Sequence, residues 1–436
     1  MARILIVGKG GYGDMFPMFA IAQALQANGH AVDIAAEGHH GDAAKQINIP
    51  IIRLDPEDKD RQFEGNGFLT QLRRAAEVLQ TLSPRHIETE YEILLAIAGN
   101  YDLIIGNQLA YCGAMVAKKT GKPWVFCAPS PLAFPSRLAA PLFPYLHSLQ
   151  KKSMAYSGTQ RPYIALARAV SNLMMTPVVR QQRKLGLGYS GHPRFEGLYS
   201  EHLNLLMTSP ALVTQQPDWP SNTVLAGFSW FEPEFMQGQL KLDNLAQFID
   251  SGPPPIVFAP GGSKRTQPGQ FFIESIKACR ALGVRGIILA AQRFHQDIPS
   301  SPDILVTGYL PYSKLLQHAS AVVHSAGIGA IGWGLRHAVP SLLVPSSWDQ
   351  FDNAYRTEQK NLALVMSQRE YKADTIAKNL HALLNNQEQL QLIKACSSQI
   401  AREDGARVAC DQIETILQNV GNRCVTKAAS SPILEK

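Results

Sequence analysis

Short runs that are apolar at every position alternate along this chain with longer stretches in which apolar residues recur three and four apart. RILIV, AVDIAA, YDLIIG and PWVFCA mark the first half; PIVFA, GIILA, ILVTG, AVVHS and SLLVP mark the second. A strand that is apolar on both faces needs cover on both, and the helical stretches between the runs supply it. The pattern therefore predicts parallel sheets flanked by helices. The two series are parted by TQQPDWPSNTVLAGFSWFEPEF and DSGPPPIVF, whose Pro, Asn and Ser content suits a connection between domains. The expectation is an α/β chain of two doubly wound domains, 1–220 and 251–404, joined by a linker over 221–250. The pattern GARVACDQIETILQNV predicts a C-terminal helix over 405–420, able to pack back on the first domain, before a frayed tail over 421–436.

Composition adds little to this picture until charge is mapped. At 436 residues, 45% hydrophobic and 17% charged, the chain suits an ordinary soluble protein with full-sized cores. Its six cysteines form no CxxC pair, so neither a zinc site nor a disulfide framework is expected, and a reducing, cytoplasmic home is the simplest. The apolar run at the N-terminus is too short for a signal peptide, and no run reaches the roughly 18 residues of a membrane span. The net charge of +6 is uneven: between Asp102 and Glu196 lie 12 Lys or Arg and no acid. That segment reads as a solvated basic face. The alternative is a lipophilic pocket wall, or a surface for peripheral contact with an anionic membrane, because FPSRLAAPLFPYLHSLQKK and YIALARAVSNLMM interleave its charges with apolar residues. No nucleic-acid-binding module is present.

Candidate chemistry gathers in three glycine-rich loops, each after an apolar run: VGKGGYGDMFP (7–17), APGGSKRT (259–266) and HSAGIGAIG (324–332). In open α/β sheets, ligands bind beyond the carboxyl ends of the strands, where such loops enter helices. Glycine lets backbone N–H groups close on a phosphate. Gly327 and Gly329, ahead of a helix through Trp333 and Leu335, suit a diphosphate. No GK[ST] follows to make a Walker loop, and GKGGYG alone is a weak dinucleotide signal.

The stretch GYLPYSKLLQHASAVVHSAGIGAIGWGLRHAVPSLLVPSSWDQFDNA resembles the donor-sugar signature of the family 1 glycosyltransferases, the UDP-glycosyltransferase superfamily of GT-B fold. GYGDMFPMFAIAQALQANGHAVDIAA and QPDWPSNTVLAGF extend the resemblance over most of the chain. It implies two facing Rossmann-like domains, the first binding an acceptor and the second a nucleotide sugar. Carried over by position, Asp349 and Gln350 would hold the sugar hydroxyls, Tyr309 would stack on the base and Leu310 would offer its backbone to the base edge. Gly261, Gly262 and Ser263, with His324, Ser325, Gly327, Ile328 and Gly329, would surround the diphosphate. The acceptor would meet Gly13, Phe16, Asn107 and Phe134. Asp14 matches the catalytic base.

Each assignment has a plainer reading. Asp14 can be the N-cap of the first helix, His324 a satisfied histidine at a strand end, Tyr309 a core residue, and Asp349 with Gln350 a polar turn. The match also departs from the family at Ser325, where a phosphate-binding histidine is usual, and at Ala330 and Ile331, often Ser or Thr. With a helix expected from about Pro17, its positive end should keep Asp14 charged and weakly basic. The amide at Asn107 suggests that Asp14 works without an orienting partner, and His30, His39 and His40 receive no role. The resemblance implies an inverting transferase moving sugar from a nucleotide diphosphate, UDP-linked by expectation, to a hydroxyl of a lipophilic molecule, with no metal or cofactor. The rivals are a nucleotide-sugar epimerase of the same fold and a non-catalytic binding or scaffold protein.

Overall fold

The nine apolar runs all become strands, and the central ones are sealed from water on both faces, as the four buried residues of Ile256–Ala259 illustrate. The computed structural model describes residues 1–54, 82–143, 147–156, 161–188, 191–234, 239–261, 268–291, 294–295, 298 and 301–429. Gly262, Ser263 and the end of the expected tail, 430–436, lie outside the described residues.

The first sheet holds β1 (Arg3–Val7), β2 (Ala31–Ala36), β3 (Ile51–Arg53), β4 (Leu103–Gly106), β5 (Trp124–Ala128), β6 (Leu203–Leu206) and β7 (Thr223–Leu225), in the order β3-β2-β1-β4-β5-β6-β7. The second holds β8 (Ile256–Ala259), β9 (Gly286–Leu289), β10 (Ile304–Thr307), β11 (Ala321–His324), β12 (Ser341–Leu343) and β13 (Ala363–Val365), in the order β10-β9-β8-β11-β12-β13. The pairings are parallel in both sheets. Strand order reverses between β1 and β4 in one sheet and between β8 and β11 in the other. A parallel α/β sheet opens a ligand crevice at such a reversal. Gly261, just after β8, and the glycine-rich loop after β11 flank one crevice, and the loop after β1 flanks the other.

Two boundaries differ from the sequence expectation. β7 and the helix Gln239–Asp250 both fall inside 221–250, so that segment carries ordered elements as well as connecting chain. The prolines and polar residues that suggested a linker flank these elements. The C-terminal helix runs Gly405–Ala429, past 420, and Ala409, Cys410, Ile413 and Ile416 share a buried cluster with Met18, Phe19 and Leu25 of the first domain.

The two domains meet through a continuous apolar cluster that includes Phe126, Phe134 and Phe228 on one side and Ile331, Leu335 and Ala354 on the other. Polar contacts then fasten Ser130, Leu142 and Lys151 to the helix Gln350–Gln359. Ser130 Oγ donates to Asn353 Oδ1 at 3.0 Å, the Leu142 amide donates to Asp352 Oδ1 at 2.9 Å, and Lys151 pairs with Glu358 at 3.0 Å.

Candidate active site

Helix Tyr12–Ala27 begins ahead of Pro17, which lies inside it. Asp14 therefore sits in the first turn and not before it. Its Oδ2 accepts from the Gly11 amide at 3.0 Å, tying down one of the donors that a helix start leaves unpaired. Its Oδ1 accepts from Gln108 Nε2 at 2.6 Å, from the loop after β4. Gly10 (φ +105°) lets the loop pass close over the carboxylate, since a Cβ there would lie 2.5 Å from Asp14 Oδ2.

The expectation of a weakly basic Asp14 is overturned. Burial comes first and the facing Asp349 second; together with Glu37 they raise its pKa to about 7, against the hydrogen bonds from Gly11 and Gln108 that favour the charged form. Enclosure and two like charges outweigh the helix end, whose influence is modest and confined to the first turn. The expectation of a lone carboxylate also fails: Gln108, the residue after Asn107, is its partner.

Asn107 is fully buried and serves the loop itself, its Nδ2 donating to the Lys9 carbonyl at 2.8 Å and its Oδ1 accepting from the Leu109 amide at 3.1 Å. Phe134 is likewise in the core, stacked on Tyr199 with ring centroids 5.4 Å apart. Neither presents a surface to an acceptor. Gly13 is exposed with open space where a Cβ would be, and Phe16 is half-buried against Tyr12 and Phe231. His40 and His39 lie in a short 3-10 turn beside the same loop, and His40 Nε2 donates to the Gly10 carbonyl at 3.0 Å. Glu37, His39 and His40 bring potential ligand atoms within 4.8 Å of one another, the group among the described residues able to hold a cation.

Across the interface, Gly261 (φ +76°) and Ser325 close on each other, for a Cβ at Gly261 would meet Ser325 Oγ at 2.4 Å. His324 ends β11, buried. Its Nδ1 accepts from the Ala326 amide at 3.2 Å, so the ring proton is on Nε2, which has no partner among the described residues. Burial lowers its pKa to about 4, making it a neutral donor at neutral pH. Ala326 takes a left-handed φ of +62°, uncommon for a residue with a Cβ. Gly327 then caps the helix Ile328–Arg336, and neither it nor Gly329 has anything within 4 Å of where a Cβ would lie. A helix start with that clearance can receive an anion. Ile328 is half-buried on the first turn.

Asp349 and Gln350 open the next helix. Gln350 Oε1 accepts from the Ser346 amide at 2.9 Å and the Ser347 amide at 3.1 Å, while its Nε2 lies 3.5 Å from Ser325 Oγ. Its amide thus links the two loops of the crevice. Asp349 Oδ2 accepts from Asn353 Nδ2 at 2.8 Å, and burial raises its pKa despite that bond. Asn353 also donates to the Ala326 carbonyl at 3.2 Å and accepts from Ser130 of the other domain. Tyr309 is half-buried, its hydroxyl pKa raised by enclosure and by Glu232, and Leu310 is fully buried.

Sequence reasoning thus missed Gln108, Glu37, Ser130 and Asn353. Only Asn353 carried a signal, its four-residue spacing from Asp349 on a helix. The site joins a carboxylate of raised basicity at one strand-order reversal to a glycine-lined helix start at the other. Such a pair can remove a proton on one side and accept negative charge on the other.

The chain is similar to known proteins over most of its length. Residues 4–123 match the glycosyltransferase family 28 N-terminal domain, and residues 283–420 match the C-terminal domain of erythromycin biosynthesis protein CIII-like proteins. O-mycaminosyltylonolide 6-deoxyallosyltransferase of Streptomyces fradiae is 25% identical over 94% of this chain and 97% of its own. UDP-glucuronosyltransferase 3A1 of Bos taurus is 23% identical over 91% of this chain and 80% of its own. The crystal structure of CalG4, the calicheamicin glycosyltransferase, superposes with a TM-score of 0.69 at 15% identity, covering 96% of this chain and 99% of that one. Glycosyltransferase VinC, solved with dTDP, gives 0.63 at 16% identity over 96% and 100%. The two facing parallel-sheet domains are therefore the GT-B fold.

Proposed function

Because the chain belongs to the family 1 glycosyltransferases and is a sugar-transferring enzyme, we propose that it moves a sugar from a nucleotide diphosphate to a hydroxyl of a lipophilic molecule, with inversion at the sugar carbon. The observation that carries this reading is the raised basicity of Asp14 opposite Asp349. A base titrating near the working pH is suited to take the proton of an attacking hydroxyl. The nucleophile adds to the sugar carbon as the bond to the diphosphate breaks, and the proton passes to Asp14 Oδ1 or Oδ2.

The leaving diphosphate would lie at the start of helix Ile328–Arg336, where backbone N–H groups, the Ser325 hydroxyl and the orphaned His324 Nε2–H can bear its charge. This arrangement needs no metal for the transfer itself. Asp349, oriented by Asn353, would accept from the sugar hydroxyls. Gln350 acts differently from the sequence expectation in this reading: it sets the spacing of the Ser346 and Ser325 loops and leaves the sugar to Asp349. The relatives support a lipophilic acceptor, since a sterol 3-beta-glucosyltransferase of Arabidopsis thaliana is 23% identical over 94% of this chain and 67% of its own.

Thermal unfolding with UDP, dTDP, UDP-glucose, UDP-glucuronate and dTDP-rhamnose tests the donor half. A ligand at about 100 times its Kd adds roughly 2.7 kcal/mol. The expected result is a shift with one nucleotide sugar that is lost in Asp349→Ala. No shift with any of them would overturn the donor assignment.

A further inference from the structure

The helix Arg161–Met174 has two unlike faces. Ile164 and Ser171 are buried, and Ile164 packs with Leu132, Ala140 and Phe143 in a small apolar cluster of its own. On the other face Leu166, Val170 and Leu173, spaced four and three apart, are 49%, 57% and 80% exposed. Leu149, whose carbonyl accepts from Tyr163 of this helix, and Leu138 are exposed as well. Half of the large apolar side chains exposed among the described residues thus fall in this one segment. Single exposed leucines are unremarkable, but a stripe of them on one helix marks an interaction surface.

Charge selects the occupant. No acid occurs from 103 to 195, and Lys152, Arg161, Arg180 and Arg183 are exposed on the helices that carry or adjoin the stripe. Of the acids that reach this region, Glu88, Glu196 and Glu358 each pair with one of its bases, and Asp218 and Asp352 are taken up by the Arg137 and Leu142 amides. An apolar stripe flanked by cations that no acid opposes among the described residues matches an anionic bilayer surface, where leucines enter the acyl boundary and cations meet the headgroups. The location matters too. The cluster under the helix belongs to 132–143, the same segment whose Leu142 amide and Ala139 carbonyl bond the donor-domain helix Gln350–Gln359.

We propose that this face docks the enzyme on an anionic lipid bilayer, holding the acceptor side of the cleft at the membrane surface. The proposal deepens the reading of a lipophilic acceptor and rests on it for its purpose, but its geometry stands apart from sugar transfer. Co-sedimentation of the full chain with vesicles of phosphatidylcholine, and of equal parts phosphatidylcholine and phosphatidylglycerol, tests it. The expected result is binding to the anionic vesicles that weakens with salt and falls about tenfold or more in the triple variant Leu166→Ser, Val170→Ser, Leu173→Ser. Arg180→Glu with Arg183→Glu, which leaves the stripe intact, should weaken binding by roughly fivefold per charge removed.

All these side chains are exposed, so melting temperature and nucleotide-induced shift should be unchanged. Those controls also separate a failure here from a failure of the donor reading. Absence of vesicle binding by the wild type, or equal binding by the triple variant, overturns the proposal. A triple variant that turns a dimer into a monomer without altering vesicle binding assigns the stripe to a second copy and overturns it too.

Discussion

Replacing Asp14 with Asn tests the catalytic argument and its electrostatic basis together. The amide keeps an oxygen for the Gly11 N–H but cannot take a proton. Loss of a positioned base costs roughly 10²- to 10⁴-fold in kcat/KM, or about 2.7 to 5.5 kcal/mol of transition-state stabilisation. In the wild type, Asp14 must be ionised to work, so kcat/KM should rise with pH through about 7. Burial sets that midpoint first; Asp349 and Glu37 raise it further, while the hydrogen bonds from Gly11 and Gln108 lower it. Stability should move the other way. The folded-state pKa lies above the ordinary 3.8, so the stabilisation from a protonated Asp14 is full below about 4 and is lost as pH rises through about 7. A difference of 7 − 3.8, about 3 units, bounds the loss near 4 kcal/mol, and water in the cleft should leave about 1 to 2 kcal/mol of it. Asp14→Asn should therefore be the more stable protein at pH 8 and nearly equal to the wild type at pH 4. The assays are nucleotide diphosphate release against pH and urea unfolding at both pH values. A flat kcat/KM profile between pH 5 and 8, or a variant within tenfold of the wild type at pH 8, would refute the reasoning.

Three further outcomes follow from the same geometry. Gln108→Leu removes a hydrogen bond that favours ionised Asp14, so the acid limb of kcat/KM should move up by about one pH unit, as a charge-assisted bond of about 1.5 to 3 kcal/mol allows; an unmoved limb would make Gln108 a bystander. Asn353→Leu strips partners from Asp349, the Ala326 carbonyl and Ser130 at once, and should cost about 2 to 4 kcal/mol in urea unfolding while raising the donor KM more than it lowers kcat. Gly261→Ala forces a Cβ into the Ser325 hydroxyl at a left-handed φ, so the melting temperature should fall by several degrees and nucleotide-induced shifts should shrink; an Ala variant as stable as the wild type would show that the loop relocates freely.

Strands announced themselves in the sequence where they sit centrally. β1, β4, β5, β8 and β11 are apolar on both faces because neighbours cover both, and that is the pattern a reader can see. Of the four edge strands, β10 keeps the four-residue run ILVT and was legible, whereas β3, β7 and β13 have three residues each, too little to stand out from the helical background. β6 hid for another reason: Asn204 interrupts its apolar run, buried and bonded to Ser200 and Asn222. The glycine loops were legible because a missing Cβ is written in the sequence. The electrostatics of Asp14 were not, since its pKa depends on Asp349 and Glu37, which are remote in sequence and assembled only by folding. Phe134 and Asn107 show the converse error, where a residue in the right loop turns inward and serves the scaffold.

The C-terminal helix carries a consequence for how the protein is made. The chain leaves its first domain near Phe228 and returns at Gly405, where the Gly405 amide bonds the Phe228 carbonyl at 2.8 Å and Glu403 accepts from the Phe228 amide at 3.0 Å. Helix Gly405–Ala429 then joins the buried cluster of Met18, Phe19 and Leu25, with Asn28 donating to Glu414 at 2.9 Å. A ribosome delivering residues in order must expose that face of the first helix until Ile416 has emerged. The first domain, begun before the second, is completed only after it, so the second domain has to fold while its neighbour still presents an unfinished apolar surface.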